Sequence, residues 1–143
     1  MGIVDNLPLD LQLLKTNPGI RLGDWAAINQ LLKALGGVQT NDSITASTTQ
    51  TQAAGTAVSL GFTNVSTVGS SNDAVTFPLS GPGYWLIITN SAASNTMKAF
   101  PAVGDAINAA GANNAVTVAN ATTSLYVCTA KGQWWGGPIT NEA

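Results

Sequence analysis

Few residues in this chain have the types and spacing that chemistry requires. Its 143 residues include seven Asp/Glu, five Lys/Arg, one cysteine and no histidine. Without histidine, no Ser-His-Asp or Cys-His nucleophile system and no His-containing zinc site can be assembled. Asp24, Asp42, Asp73 and Asp105 lie at predicted turns or element ends. No two of them have a spacing that fixes the roughly 5–10 Å separation of a glycosidase acid/base pair. Asp at turns normally bonds its own backbone, and that is the role expected here. Calcium takes about six to eight oxygen ligands, and no Asp-x-Asp-x-Asp run is present to supply them. Lys98 and Lys131 lack Ser-x-x-Lys spacing and read as surface lysines. Cys128 lies in an apolar stretch and reads as a small buried hydrophobe, with no second cysteine to pair with. The expectation is a non-catalytic chain with no cofactor and no metal site.

The aromatic residues are more informative. If Trp134-Trp135 lies on a strand, the two rings point to opposite faces, one into the core and one out. Tryptophan is favoured at interface centres and also lines carbohydrate platforms. The pair therefore reads as core plus subunit contact, or core plus ligand platform.

Charged residues make up 8% of the chain, against about 25% in ordinary globular proteins. A net charge of −2 with five scattered cations gives no footprint for nucleic acid or an anionic membrane. The longest apolar run covers only residues 84–88, far short of the roughly 20 that span a bilayer. No basic segment followed by an apolar stretch opens the chain, so no secretory signal is expected.

Four segments would position these residues. In residues 1–21, Leu7, Leu9, Leu11 and Leu13 alternate around Pro8, with Leu14 adjacent, which suggests an extended arm with one apolar face. Chain ends often fray, but burying each leucine is worth about 1.5–3 kcal/mol, so an arm that docks on something is the favoured expectation over a frayed terminus. Residues 22–37 contain an amphipathic helix with Trp25, Ile28, Leu32 and Leu35 on one stripe and Gly36-Gly37 as its stop. The stripe packs either on its own domain or against other copies. Residues 38–56 are small and polar, a Thr/Ser-rich linker or a β-edge segment. Residues 57–143 read as closely spaced short strands, the pattern of a sandwich or barrel. Tyr84-Trp85-Leu86-Ile87-Ile88 is apolar on both faces and is expected to be a central strand buried on two sides.

A weak internal repeat runs through this last segment. At an offset of 41, Asn72-Asp73-Ala74-Val75-Thr76-Phe77 matches Asn113-Asn114-Ala115-Val116-Thr117-Val118, and residues 84–88 fall on 125–129. Two copies are fewer than a solenoid requires and suggest two hairpins facing each other across one core. The expected fold is mainly β: an extended arm and one short helix, then a compact antiparallel β-sandwich or barrel.

Phe77-Pro78, the run Gly83-Tyr84-Trp85-Leu86-Ile87-Ile88-Thr89-Asn90, then Phe100-Pro101-Ala102-Val103-Gly104-Asp105-Ala106-Ile107-Asn108 and the closing Gly132-Gln133-Trp134 resemble a module of tailed-bacteriophage virion proteins. The resemblance covers about residues 57–135 and departs from the pattern at Trp135 and Gly136-Gly137-Pro138. It implies a structural role on the virion: a capsid decoration protein of the cement or head-fibre kind, bound to the major capsid protein on the outside of the head. It further implies a homotrimer, with the Trp25/Ile28/Leu32/Leu35 stripe near the shared axis and Leu7, Leu9, Leu11, Leu13 and Leu14 as the capsid contact. A tail-fibre or receptor-binding module that recognises a host glycan through Trp134 or Trp135 is the alternative.

Overall fold

Along the described chain, all strands but the last fall alternately into two sheets, and this alternation defines the architecture. The structure, a computed structural model, describes residues 40–139. These lie in a compact unit spanning Gln39–Ala143. The expected arm (1–21) and helix (22–37) lie outside the described residues. In chain order the strands are β1 (Thr40–Thr45), β2 (Thr56–Ala57), β3 (Gly61–Thr67), β4 (Asp73–Thr76), β5 (Trp85–Asn90), β6 (Met97–Phe100), β7 (Ala106–Ile107), β8 (Val116–Val118), β9 (Thr122–Ala130) and β10 (Gln133–Pro138). A six-stranded sheet has the order β1-β3-β5-β9-β10-β7, and a four-stranded sheet the order β2-β4-β6-β8.

The chain is mainly β, as expected, but the sheets are mixed rather than antiparallel. β1, β3 and β5 pair in parallel, and so do β2, β4 and β6. Parallel neighbours need a crossover between them. Here each crossover is a strand of the opposite sheet, so three successive passes of chain stack like coils of a solenoid. β8 and β9 then return antiparallel to β6 and β5. The repeat at offset 41 therefore does not mark two hairpins: each copy is one strand from each sheet, β4 with β5 and β8 with β9. The coil repeat is irregular, which hides it in sequence. Thr40 aligns with Phe62 and Phe62 with Ile87, while Thr56 aligns with Val75 and Val75 with Ala99.

Of the stretch 38–56, expected as a linker or a β-edge segment, residues 40–56 lie in this unit, and the β-edge alternative holds. The stretch supplies β1, the edge strand of the larger sheet, whose Ile44 packs on the core, and Ala46 is buried. Its Thr-rich composition suits a strand with one open edge and one solvated face. The β domain thus begins well before residue 57.

Both sheets contribute to one core. Val65, Leu86, Ile88, Tyr126, Cys128 and Trp134 enter from the larger sheet, and Val75, Met97, Ala99 and Val118 from the smaller. At one side of the stack, buried Val58, Phe77 and Pro101 follow one another from coil to coil. Val58 N–H donates to Thr76 O (3.0 Å), and Phe77 N–H to Phe100 O (2.8 Å). The Phe77 ring meets Tyr126 at 5.0 Å and Trp134 at 5.7 Å, both edge-on, the favoured arrangement for aromatic pairs. At the opposite side, Asn72 (φ 77°) and Asn95 (φ 78°) turn equivalent corners in the left-handed conformation that asparagine tolerates. Asn72 N–H donates to Thr96 O (2.8 Å), and Asn95 Nδ2 to Val68 O (2.9 Å). A backbone N–H at one corner and a side-chain amide at the other thereby satisfy carbonyls outside the sheet ladders.

Burial raises the Tyr126 phenol above its ordinary 10.0, because the core disfavours the phenolate. A raised folded-state value contributes stability that is fully present below pH 10.0 and is lost as pH rises through the folded value. The melting temperature should therefore fall more steeply above that pH in the natural protein than in Tyr126→Phe. An identical alkaline slope in the two proteins would remove Tyr126 as the cause.

Candidate functional site

The outer face of the six-stranded sheet carries the most distinctive surface among the described residues. Side chains alternate across a strand, so the residues between the buried ones point outward. On β3 these are Phe62 and Asn64; on β5, Trp85, Ile87 and Thr89; on β9, Thr123, Leu125 and Val127; and on β10, Trp135. The registers align them in rows. Trp85 pairs with Val127, which pairs with Trp135; Ile87 pairs with Leu125, which pairs with Gly137. Phe62 extends the second row through Ile87 and meets Trp85 edge-on at 5.8 Å.

Phe62, Trp85, Leu125, Val127 and Trp135 remain between 37% and 47% exposed. Single exposed hydrophobes are ordinary, but a contiguous cluster marks an interaction surface. The central strand is the clearest case. Its Leu86 and Ile88 are fully buried, while Trp85 is open to solvent and Ile87 only half-buried. The expected two-sided burial of residues 84–88 is therefore one-sided, because among the described residues no layer covers the outer face.

Beyond the apolar rows the face becomes polar and internally bonded. Thr89 and Thr123 share a hydroxyl hydrogen bond of 3.0 Å. Ser91 Oγ donates to Asn64 Oδ1 (2.6 Å), and Asn64 Nδ2 donates to Asp42 Oδ1 (2.8 Å). Asp42, on the edge strand β1, is the one charged residue within the strands of this sheet.

Two polar clamps hold β10, and with it Trp135, in place. Asn108 (φ 53°) donates from Nδ2 to Gly136 O (2.8 Å) and accepts at Oδ1 from Gly136 N–H (3.0 Å), so its amide acts as a short piece of neighbouring strand. Gln133 Nε2 donates to the Asn108 carbonyl (3.0 Å). At the β9–β10 turn, Asp105 Oδ2 accepts from Ser80 N–H (2.8 Å), and Ser80 Oγ accepts from Gly132 N–H (2.6 Å). Gly132 O in turn accepts from Ala106 N–H (2.8 Å). Asp105 therefore bonds a distant backbone group and not its own turn. The more local behaviour expected of carboxylates is seen at Asp73, which accepts from Ser70 N–H (2.9 Å), and at Asp42, which accepts from Ser43 N–H (2.8 Å).

The tryptophan pair divides as its spacing predicts. Trp134 is fully buried beneath the sheet and is a core residue, so it is unavailable as an interface or ligand aromatic. Trp135 stands on the outer face. Cys128 is buried, with its thiol donating to Ala130 O (3.1 Å). Among the described residues no cluster of three or more Cys, Asp or Glu side chains could hold a metal ion. Leu7, Leu9, Leu11, Leu13 and Leu14, and Trp25, Ile28, Leu32 and Leu35, lie outside the described residues. Sequence reasoning named Trp135 but missed Phe62, Leu125 and Val127 as its neighbours. The signal available was apolar residues at both parities of residues 84–88 and 125–128. No protein-family model, curated protein or solved structure matches the chain.

The two glycines after Trp135 have opposite requirements. A Cβ at Gly136 (φ 154°) would collide with Leu125 O, whereas one at Gly137 would meet open space. Gly136→Ala should lower the urea midpoint markedly, at a cost of about 2–4 kcal/mol for strain and a disturbed β9–β10 ladder. Gly137→Ala should stay within about 0.5 kcal/mol of the natural protein. Equal midpoints for the two variants would contradict this placement of β10.

Proposed function

We propose that this protein is a non-catalytic structural component of a tailed-bacteriophage virion: a capsid decoration protein of the cement or head-fibre kind. On this reading it sits on the outer surface of the head, bound to the major capsid protein through its N-terminal region, after assembly in the host cytoplasm. Leu7, Leu9, Leu11, Leu13 and Leu14 form the capsid contact. The Trp25/Ile28/Leu32/Leu35 stripe joins copies, as a homotrimer in the simplest arrangement. The compact unit Gln39–Ala143 is then the scaffold, a mainly β unit with two mixed sheets.

The observation that carries this reading is the nearly uncharged apolar outer face on strands whose inner face already fills the core. Laying such a face against another protein desolvates few charges and removes apolar area worth roughly 25 cal/mol per Å². Repeated contact in a crowded shell calls for this kind of surface. The sequence resemblance through Phe77-Pro78, residues 83–90, residues 100–108 and Gly132-Gln133-Trp134 supplies the virion context. Asp73 and Asp105 are buried and engaged by backbone N–H groups, which suits a structural role for both.

One observation favours the tail-fibre alternative. Trp85 and Trp135 stand in the same row, on either side of Val127, roughly 10 Å apart at two strand spacings. Two exposed indoles at that separation suit alternate rings of an extended glycan chain.

Copy number in purified particles separates the two. The decoration reading expects hundreds of copies per particle, with attachment lost when residues 1–21 are deleted. A handful of copies, together with glycan binding that Trp135→Ala abolishes, would replace it with the receptor-binding reading. Full capsid attachment by the deletion variant would refute the arm as the anchor.

A further inference from the structure

We infer that the outer face of the six-stranded sheet is a two-fold interface between copies of this chain, closed by Trp135 of each copy seating over Gly137 of the other. This deepens the reading of that face as a packing surface by naming its occupant. It does not depend on the capsid as partner.

Three observations lead to a second copy. First, the face is complementary to itself. Trp135 and Gly137 lie two residues apart on β10 on the same side of the sheet, one a large knob and the other a position where an added Cβ would meet nothing. A two-fold axis lying between two such faces and crossing β10 at Gly136 places each knob over the partner's gap. The same operation maps the row Trp85–Val127–Trp135 onto the row Ile87–Leu125–Gly137. Trp85 then meets Ile87, and Val127 meets Leu125, each contact occurring twice. Isologous interfaces require this reciprocity, and aligned sheets pack at about 10 Å with axes within about 30°.

Second, the electrostatics permit it. Identical patches brought together by a two-fold axis set like charges near like charges, so a charged face resists pairing with itself. The two rows contain no charged residue, and Asp42 sits on the edge strand β1, away from β9 and β10.

Third, the sheet edges are poor sites for association. β2 and β7 are two residues long and β8 three, so they offer few free backbone groups. The longer edge, β1, is interrupted by register shifts between Asn41 and Thr45, with Ser43 at φ 61°. Short, bulged and acidic edges discourage strand addition. The broad apolar face therefore offers the better association surface within the described residues.

The test uses the full chain in solution, without capsid. Sedimentation equilibrium across micromolar to submillimolar concentrations should show the mass rising twofold from its dilute value. Acrylamide quenching of tryptophan fluorescence should fall over the same range as Trp85 and Trp135 become covered. Trp135→Lys and, independently, Leu125→Lys should hold the mass at its dilute value while the circular dichroism spectrum stays that of the folded protein. The quenching measurement needs no variant, so the inference stays testable if either substitution prevents folding. A mass and quenching independent of concentration would overturn the inference. So would both folded variants retaining the twofold rise, or a chain that is a fixed trimer throughout. Pairing in solution with no attachment to purified heads would leave this interface standing and refute the capsid reading; attachment without pairing would do the reverse.

Discussion

Two parallel strands cannot be joined by a tight turn, and in this protein that constraint shapes the rest of the structure. A crossover must carry the chain back to the starting end of the sheet. Where an α/β protein uses a helix, this chain uses a strand of a second sheet. β1, β3 and β5 therefore cannot form without β2 and β4 lying opposite them. The two sheets are built together, and the space between them becomes the single core into which Leu86, Ile88, Met97 and Trp134 are packed. β8 and β9, antiparallel to β6 and β5, end the parallel stacking, and β10 then runs antiparallel to β9 and parallel to β7.

Each coil needs two corners, and corners leave backbone groups without a ladder partner. Here neutral amides meet that need more often than charges do. Of the six non-glycine residues with positive φ among the described residues, four are asparagines: Asn72, Asn95, Asn108 and Asn113. Asparagine takes the left-handed conformation at modest cost and has both a donor and an acceptor to give the neighbouring coil. Asn95 caps Val68 O, Asn108 brackets Gly136, and Asn113 Oδ1 accepts from Gly104 N–H (2.7 Å). The scarcity of charge and the abundance of Asn, Ser and Thr thus have one structural cause, a stack whose joints are amide-to-backbone hydrogen bonds. A consequence is an outer sheet face that carries no charged residue among its apolar rows.

Much of this was legible in the sequence where local chemistry decides the outcome. Short apolar runs broken by Gly, Asn and Pro gave the strands, and the adjacency of Trp134 and Trp135 already required one ring in and one out. The Tyr84–Ile88 run was legible as a central strand, but its second apolar parity, read as buried, faces outward. The sheet direction was not legible. Parallel and antiparallel pairs use the same side-chain alternation, and the unequal corners between coils blur any fixed period. Composition left 38–56 open between a linker and a β-edge segment, because an edge strand with one solvated face needs only Ile44 and Ala46 to reach the core. Asp105 looked like a self-bonding turn residue because Ser80, its partner, lies 25 positions away.

The sequence by itself determined what each residue type would tolerate: a mainly β chain, poor in charge, with tryptophans split between core and surface. Periodicity and composition act over a few residues, and those properties are local. Only the tertiary structure decided that Phe62, Trp85, Ile87, Leu125, Val127 and Trp135 share one face. That depends on which strands become neighbours and in what register, a choice made by filling a core shared between two sheets. The apolar surface that the functional proposals rest on is a product of that register, assembled from residues as far apart in the chain as Phe62 and Trp135.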